Sequence, residues 1–330
     1  VSNSQTPLGS AFGAASTAQE VVRGHDLTGK TALVTGGYSG IGVETSRALK
    51  EAGAHVIVPV RDRAKAARTL EGLDVEIEDL DLARPSSIDA LADRLRGRPL
   101  HILINSAGIM ACDLTRDERG YESQFATNHL GHFQLVERLW PALQRAQGAR
   151  VVAVSSWGHR RSPVVFEDPN FERREYEPWS AYGQSKTANI LFALELDRRG
   201  SSEGVRAFSL HPGSIVTDLG RHLSREDLKA FGVIDEAGEP IIDPSKNMKT
   251  PQQGAATSVW CAVSPLLEGK GGLYCENCDV SPLLSENAEP LTAQSAAARG
   301  QGSSAQGVLP YAIDPENARR LWALSEKLLN

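Results

Sequence analysis

Thr31-Ala-Leu-Val-Thr35-Gly36-Gly37-Tyr38-Ser39-Gly40-Ile41-Gly42 is the stretch on which the reading of this chain turns. A short apolar run ends in a glycine-rich turn. Behind it Ile41, Thr45, Ala48, Leu49 and Ala52 recur at helical intervals and mark one buried stripe. Strand, glycine turn and helix in that order open a βαβ unit. Backbone without a Cβ can approach a pyrophosphate closely. The helix N-terminus then offers unpaired N–H groups and the positive end of its dipole to the phosphates. A glycine pattern alone is weak evidence, but a strand before it and a helix after it supply the context that nucleotide binding needs.

The same alternation continues outward. Apolar, β-branched runs at 31–35, 54–59, 75–78, 101–105, 151–155 and 205–210 predict strands, with helical spacing between them. Pro85-Ser86-Ser87-Ile88-Asp89 predicts a helix start with Ser86 as N-cap. Parallel strands need crossover helices, and strands covered on both faces read as nearly continuous apolar runs. The expected fold is α/β: a single Rossmann-type doubly wound parallel sheet with helices on both faces. Residues 1–25, rich in Ser, Ala and Gly, are expected to form a flexible N-terminal arm. Residues 26–284 are expected to form the main, Rossmann-type domain. Residues 285–330 form a C-terminal extension, a loop over 285–309 followed by a docked helix from Pro315.

Composition removes several function classes. The 330 residues carry a net charge of -6 with no basic stripe or tail, which excludes nucleic acid as the expected partner. No run of about 18 apolar residues occurs, so no membrane span is expected. The N-terminus lacks the basic start and apolar core of an export signal. Four cysteines, Cys112, Cys261, Cys275 and Cys278, are too few for a disulfide framework and fit a reducing cytoplasm. Cys275-Glu-Asn-Cys278 has no second pair to complete a zinc site and reads as structural. His129, His132, His159 and His211 lack metal-ligand spacing and read as surface, pocket-lining or structural, so no metal is expected.

Tyr182-Gly-Gln-Ser-Lys186 opens a helical stretch, and on a helix i and i+4 share a face with a rise of roughly 6 Å. A phenol ionises near pH 10, and a neighbouring ammonium favours its anion. Tyr182 could then exchange a proton with a substrate oxygen. Ser156 ends the fifth strand, at the carboxyl edge where ligands bind in such sheets, and could hydrogen-bond the same oxygen. Ser155 is its nearest rival. Asn128 lies in the helical stretch after the fourth strand.

Together these motifs resemble the classical branch of the short-chain dehydrogenase/reductase family. The glycine spacing is Gly-x-x-x-Gly-x-Gly, and Asn128, Ser156, Tyr182 and Lys186 match the family's catalytic tetrad. The resemblance implies that Lys186 also bonds the nicotinamide ribose and that Asn128 holds a water in a proton relay. It implies cofactor contacts from Thr35, Gly36, Tyr38, Ser39, Gly40, Ile41 and Gly42. Asp81 and Leu82 would contact adenine. Asn105, Ala107 and Gly108 face the adenosine side, with Ser106 where the family usually has a second Asn. Pro212, Gly213 and Thr217 match the nicotinamide turn. The 26-residue gap from Ser156 to Tyr182, Asn-His-x-Gly-His-Phe from Asn128, and the closing Pro315-Glu-Asn-Ala-Arg-Arg-Leu-Trp322 resemble the retinol-dehydrogenase-like subgroup.

The expected function is hydride transfer between NADP(H), with NAD(H) as the alternative, and a lipophilic or aromatic carbonyl or alcohol. Val60 stands where NAD-preferring relatives place an acid, and Arg61 follows, able to pair with a 2′-phosphate. Trp157, Met110, Tyr176 and Trp179, with Ser156, are the candidate substrate-facing residues. Residues 218–250 are expected to form a lid over the substrate. The competing reading is a catalytically weak NADP(H)-binding sensor on the same fold. The partner is a small-molecule substrate, and the family's dimers and tetramers leave a homodimer or homotetramer open.

Overall fold

The computed structural model describes residues 5–285 and 306–330. The chain runs α1 (Ala18–Val22), β1 (Thr31–Thr35), α2 (Ile41–Glu51), β2 (His55–Val60), α3 (Arg63–Thr69), β3 (Glu76–Asp79), α4 (Pro85–Arg94) and β4 (Ile102–Asn105). It continues through α5 (Ser123–Phe125), a π-turn (Ala126–Leu130), α6 (Gly131–Arg145), β5 (Ala149–Val154), α7 (Pro178–Gly200) and β6 (Val205–His211). Last come α8 (Arg225–Ala230), α9 (Pro251–Val263), β7 (Leu273–Glu276), β8 (Asp279–Val280) and α10 (Pro315–Leu329).

One eight-stranded sheet has the order β3-β2-β1-β4-β5-β6-β7-β8, parallel except for the last pair. The chain order reverses at β1 and β4, which opens a crevice at their carboxyl ends. Side chains alternate between the two faces with period two. Leu33, Leu103, Val151 and Ala207 face α4, α6, α7 and α10. Val34, Ile104, Val152 and Phe208 face α1, α2 and α9. This is the doubly wound α/β sheet expected from the alternation.

Four local features depart from expectation. Residues 5–25 are not a free arm. Gln5 donates to the Ser281 carbonyl at 2.7 Å, and the Leu8 amide donates to Asp279 at 2.7 Å. Thr17 and Glu20 form a capping box that starts α1, whose Ala18, Val21 and Val22 bury against α2 and α9. Composition concealed this because the apolar residues are few but all fall on one face. Helix α4 starts two residues earlier than predicted, with Arg84 at the cap and Pro85 first in the helix. Its pre-set φ and missing N–H suit proline to that place. The β7–β8 hairpin was missed because a two-residue strand carries no periodicity. The π-turn was missed because Asn128 lies in what reads as continuous helix. The expected C-terminal helix is present as α10, its Trp322 packed on Phe133 at 4.8 Å. Most of the expected 285–309 loop lies outside the described residues.

Candidate active site

A cavity of about 830 Å³ lies beyond the carboxyl ends of the central strands. That is within the usual range for small-molecule sites. Thr35, Gly36, Tyr38, Ser39, Gly40 and Ile41 line one end, with Arg61, Asp81 and Leu82 beside them. Ala107, Gly108 and Met110 from the loop after β4 form its floor. Ser156, Trp157, Trp179, Tyr182 and Lys186 form a wall at the other end. Pro212, Gly213 and Thr217 after β6 join the two. Gly42, Asn105, Asn128 and Tyr176 do not line it.

The glycine turn fits a phosphate cradle. A Cβ on Gly42 would stand 2.2 Å from the Gly36 carbonyl oxygen, so the loop closes on the start of α2 only if that residue has no side chain. Arg61 is exposed at the rim and has no hydrogen-bond or ion-pair partner among the described residues. Arg63, by contrast, is committed to Asp79 at 2.6 Å. Lys65 pairs with Asp218, which also accepts from Ser39 at 3.3 Å. Asp62 caps α3 by accepting from the Lys65 amide at 2.9 Å.

Two elements hold the reactive wall. Ser156 follows β5, and its hydroxyl caps a 3-10 turn by accepting from the Gly158 amide at 3.0 Å. Tyr182 and Lys186 stand one turn apart on α7, which Glu177 caps through the Trp179 and Ser180 amides. Glycine at 158 lets the Tyr182 ring pack closely, because a Cβ there would lie 2.7 Å from that ring. The Ser156 side chain acts on the Tyr182 phenol and favours its ionised form. Lys186 donates to the Val154 carbonyl at 3.0 Å. The Ser155 hydroxyl donates to the backbone of Lys186 at 2.7 Å and is committed to holding α7 on β5.

Burial dominates the electrostatics. It pushes the Tyr182 phenol up to about 12, and the Ser156 side chain offsets only part of that. It pulls the Lys186 ammonium down to about 8. Sequence reasoning expected Lys186 to lower the phenol. Here the ammonium sits 5.5 Å from the ring centroid with its hydrogen bond directed at Val154, and desolvation wins.

Asn128 lies in the π-turn, where an extra residue re-aims the side chain. Its Oδ1 accepts from the Ile109 amide, and its Nδ2 donates to the Ile109 carbonyl and to Ser185, each at 2.9 Å. It braces the floor against α7. Asn105 is buried with neither amide atom hydrogen-bonded among the described residues. Tyr176 turns away from the cavity, bonded to the Cys112 carbonyl at 2.9 Å and to Gln124 at 3.0 Å. Its place among the substrate-facing candidates is therefore corrected. Proximity in sequence put it near the site, but its hydroxyl found partners behind the wall.

His132, one of the histidines whose spacing reads as surface, pocket-lining or structural, links β1 to Asn128. Its Nδ1 lies 3.0 Å from the Asn128 carbonyl and its Nε2 lies 2.9 Å from the Thr35 hydroxyl. The ring is buried, which holds it neutral with its pKa pulled down to about 4. A carbonyl cannot donate, so Nδ1 carries the proton and Nε2 accepts from Thr35. The i, i+4 spacing to Asn128 was the available signal. No group of three metal-ligating side chains forms among the described residues, and no helix there is long and apolar enough to cross a membrane.

The family model for the short chain dehydrogenases matches residues 30–228. The chain is 46% identical over 305 residues to a Streptomyces antibioticus protein named "Probable oxidoreductase", covering 90% of this chain and 96% of that one. It is 39% identical over 328 residues to the short-chain dehydrogenase/reductase prx1 of Penicillium roqueforti, covering 95% and 90%. A crystal structure of an uncharacterised Mycobacterium paratuberculosis protein superposes with a TM-score of 0.69 at 32% identity, covering 95% and 97%. With the glycine cradle and the Ser156–Tyr182–Lys186 wall facing one cavity, these likenesses make the chain an oxidoreductase of the short-chain dehydrogenase/reductase family.

Proposed function

We propose that this oxidoreductase uses NADP(H) to interconvert a lipophilic or aromatic carbonyl compound and its alcohol, with Tyr182 as the acid/base. The observation that carries the reading is the convergence of Ser156, Tyr182 and Lys186 on one wall of a cavity whose far end is a glycine cradle. The family generally binds NAD(P)(H), and Gly36–Gly42, Arg61 and Lys186 are the residues that would hold the dinucleotide. When bound, the nicotinamide supplies or accepts the hydride.

The chain's own residues handle the proton. Ser156 and Tyr182 donate hydrogen bonds to the substrate oxygen, in a buried setting where such bonds strengthen as negative charge develops. With its pKa near 12 the phenol is protonated at neutral pH and ready to give its proton to an alkoxide. Lys186, still cationic below about pH 8, stabilises the phenolate left behind. Asn128, fixed by Ile109 and Ser185, holds the loop after β4 against α7. Arg61, with no hydrogen-bond or ion-pair partner among the described residues, is available to pair with a 2′-phosphate. The site belongs to a complete tetrad rather than to a sensor that has lost its acid/base.

The lid segment supports an apolar substrate: Leu219, Leu223, Leu228, Phe231 and Val233 all line the cavity. The test is NADPH- and NADH-linked reduction of a carbonyl series from small polar ketones to bulky aromatic and long-chain ones. NADPH turnover rising with apolar size is expected. Preference for NADH, or for sugars and small polar ketones, overturns the reading.

A further inference from the structure

Trp179 stands in the reactive wall with its ring 6.1 Å from that of Tyr182, edge to face. On its other contacts lie Phe231 from the lid, 5.2 Å between centroids, and the guanidinium of Arg161, 4.7 Å from the indole centroid. Arg161 ends the 3-10 turn that Ser156 caps, and it lines the cavity. Its side chain is half-buried, and burial opposes its charge.

Among the described residues no acceptor bonds that guanidinium. Arg161 has five N–H donors and no hydrogen-bond or ion-pair partner among the described residues. Glu177, the carboxylate whose charge favours the Arg161 cation, spends its oxygens on the Trp179 and Ser180 amides at 3.0 and 2.6 Å. The other arginines that stack on aromatic rings are different. Arg174 lies over Phe171 and also donates to Gln184 at 2.8 Å. Arg199 lies over Trp322 and donates to Glu195 at 2.8 Å. Arg119, Arg150, Arg160 and Arg320 likewise stack and donate. Arg161 alone of the set has its face covered and its edge empty. That edge presents parallel N–H groups, the geometry that grips a carboxylate with two bonds.

The charge around it points the same way. The lining carries six cations, Arg61, Lys65, Arg161, Lys186, Arg221 and Lys246, against three carboxylates, Asp62, Asp81 and Asp218, and Asp218 is already paired with Lys65. An anionic group entering here meets a net positive wall.

We propose that Arg161 docks a carboxylate on the substrate, so that the enzyme acts on an amphipathic oxo-acid or hydroxy-acid whose apolar body lies against Trp179 and Phe231. This inference rests on the lipophilic-carbonyl reading above and narrows it. Arg161 sets specificity and takes no part in the proton transfer.

The test compares an aryl-alkyl keto acid with its methyl ester, in the wild type, in Arg161→Met and in Arg161→Lys. The wild type should favour the acid in kcat/KM by roughly 10–100-fold, the range of a charge-assisted bond. That acid-to-ester ratio should collapse in Arg161→Met. It should be partly kept in Arg161→Lys, which retains charge and loses the planar fork. A second readout needs no turnover: titration with an unreactive aryl-alkyl carboxylate should change tryptophan fluorescence, with affinity lost in Arg161→Met. If neither ketone is reduced but the carboxylate binds through Arg161, the docking point stands and the carbonyl reading falls. A ratio near one in the wild type, or a ratio and carboxylate affinity unchanged in a folded Arg161→Met, overturns the proposal.

Discussion

On one side of the cavity, α7 buries most of its 23 residues, including Tyr182 and Lys186 at 4% exposure each. On the other, the lid helix α8 buries none of its six. The first wall is held by long-range hydrogen bonds to β5 and by a continuous core. The second, over residues 218–250, is held by local capping boxes, short 3-10 turns and a few isolated bridges. Groups that must meet a reacting atom within a fraction of an ångström stand on elements whose rotamers are locked by packing. Elements with little buried area open at low cost, which suits 218–250 to the lid role proposed for it.

The largest expected effect falls on the rigid wall. Tyr182→Phe removes one hydroxyl and no packing volume. Turnover should drop by about 10³-fold or more, with melting temperature and cofactor affinity nearly unchanged. Wild-type rates in a folded Tyr182→Phe protein would break the assignment of chemistry to this wall.

A pair of phenylalanines measures the contrast directly. Phe192 is 3% exposed in the core beside Phe133 and Trp322, and Phe192→Ala should cost about 3–5 kcal/mol of stability. Phe231→Ala, in the lid, should cost less than about 1 kcal/mol and instead raise KM for bulky substrates several-fold. Comparable stability losses in chemical denaturation would show that the lid is a core element.

Arg61 sits on neither wall but beside the glycine turn. Arg61→Ala should weaken NADPH binding by roughly 10–100-fold and NADH far less. Equal losses for both, by calorimetric titration, would remove the basis for an NADP(H) preference.

The smallest effect is a pH profile. The folded pKa of Lys186 is lowered to about 8 from an ordinary 10.5. The cation that supports Tyr182 is present below about pH 8 and is lost above it. Carbonyl reduction should hold level up to pH 8 and then decline, by at most about tenfold per pH unit. Stability moves the other way. Between about 8 and 10.5 the unfolded chain binds the extra proton, so the contribution of Lys186 to stability rises across that window. A rate level to pH 10 would separate Lys186 from the proton transfer.

Much of the fold was legible because its signals are local. The glycine turn between β1 and α2 needs only neighbouring residues to be recognised, and the Tyr182–Lys186 spacing follows from helix geometry. The docking of residues 5–25 was not legible, since three apolar side chains on one short helix acquire meaning only against α2 and α9. Tyr176 shows the converse. It lies close in sequence to Tyr182, but the start of α7 turns its hydroxyl toward Cys112 and Gln124.

By itself the sequence determined the alternation of strands and helices, the glycine cradle and the residue types of the tetrad, because periodicity, turn chemistry and i, i+4 spacing are properties of the chain. Tertiary structure alone decided that burial, and not Lys186, governs the Tyr182 phenol. It also decided that Ser155 braces α7 while Ser156 faces the cavity, and that Arg161 lies stacked on Trp179 with its edge unanswered. Desolvation and the direction of a side chain depend on what packs around a residue, and residues far apart in sequence do that packing.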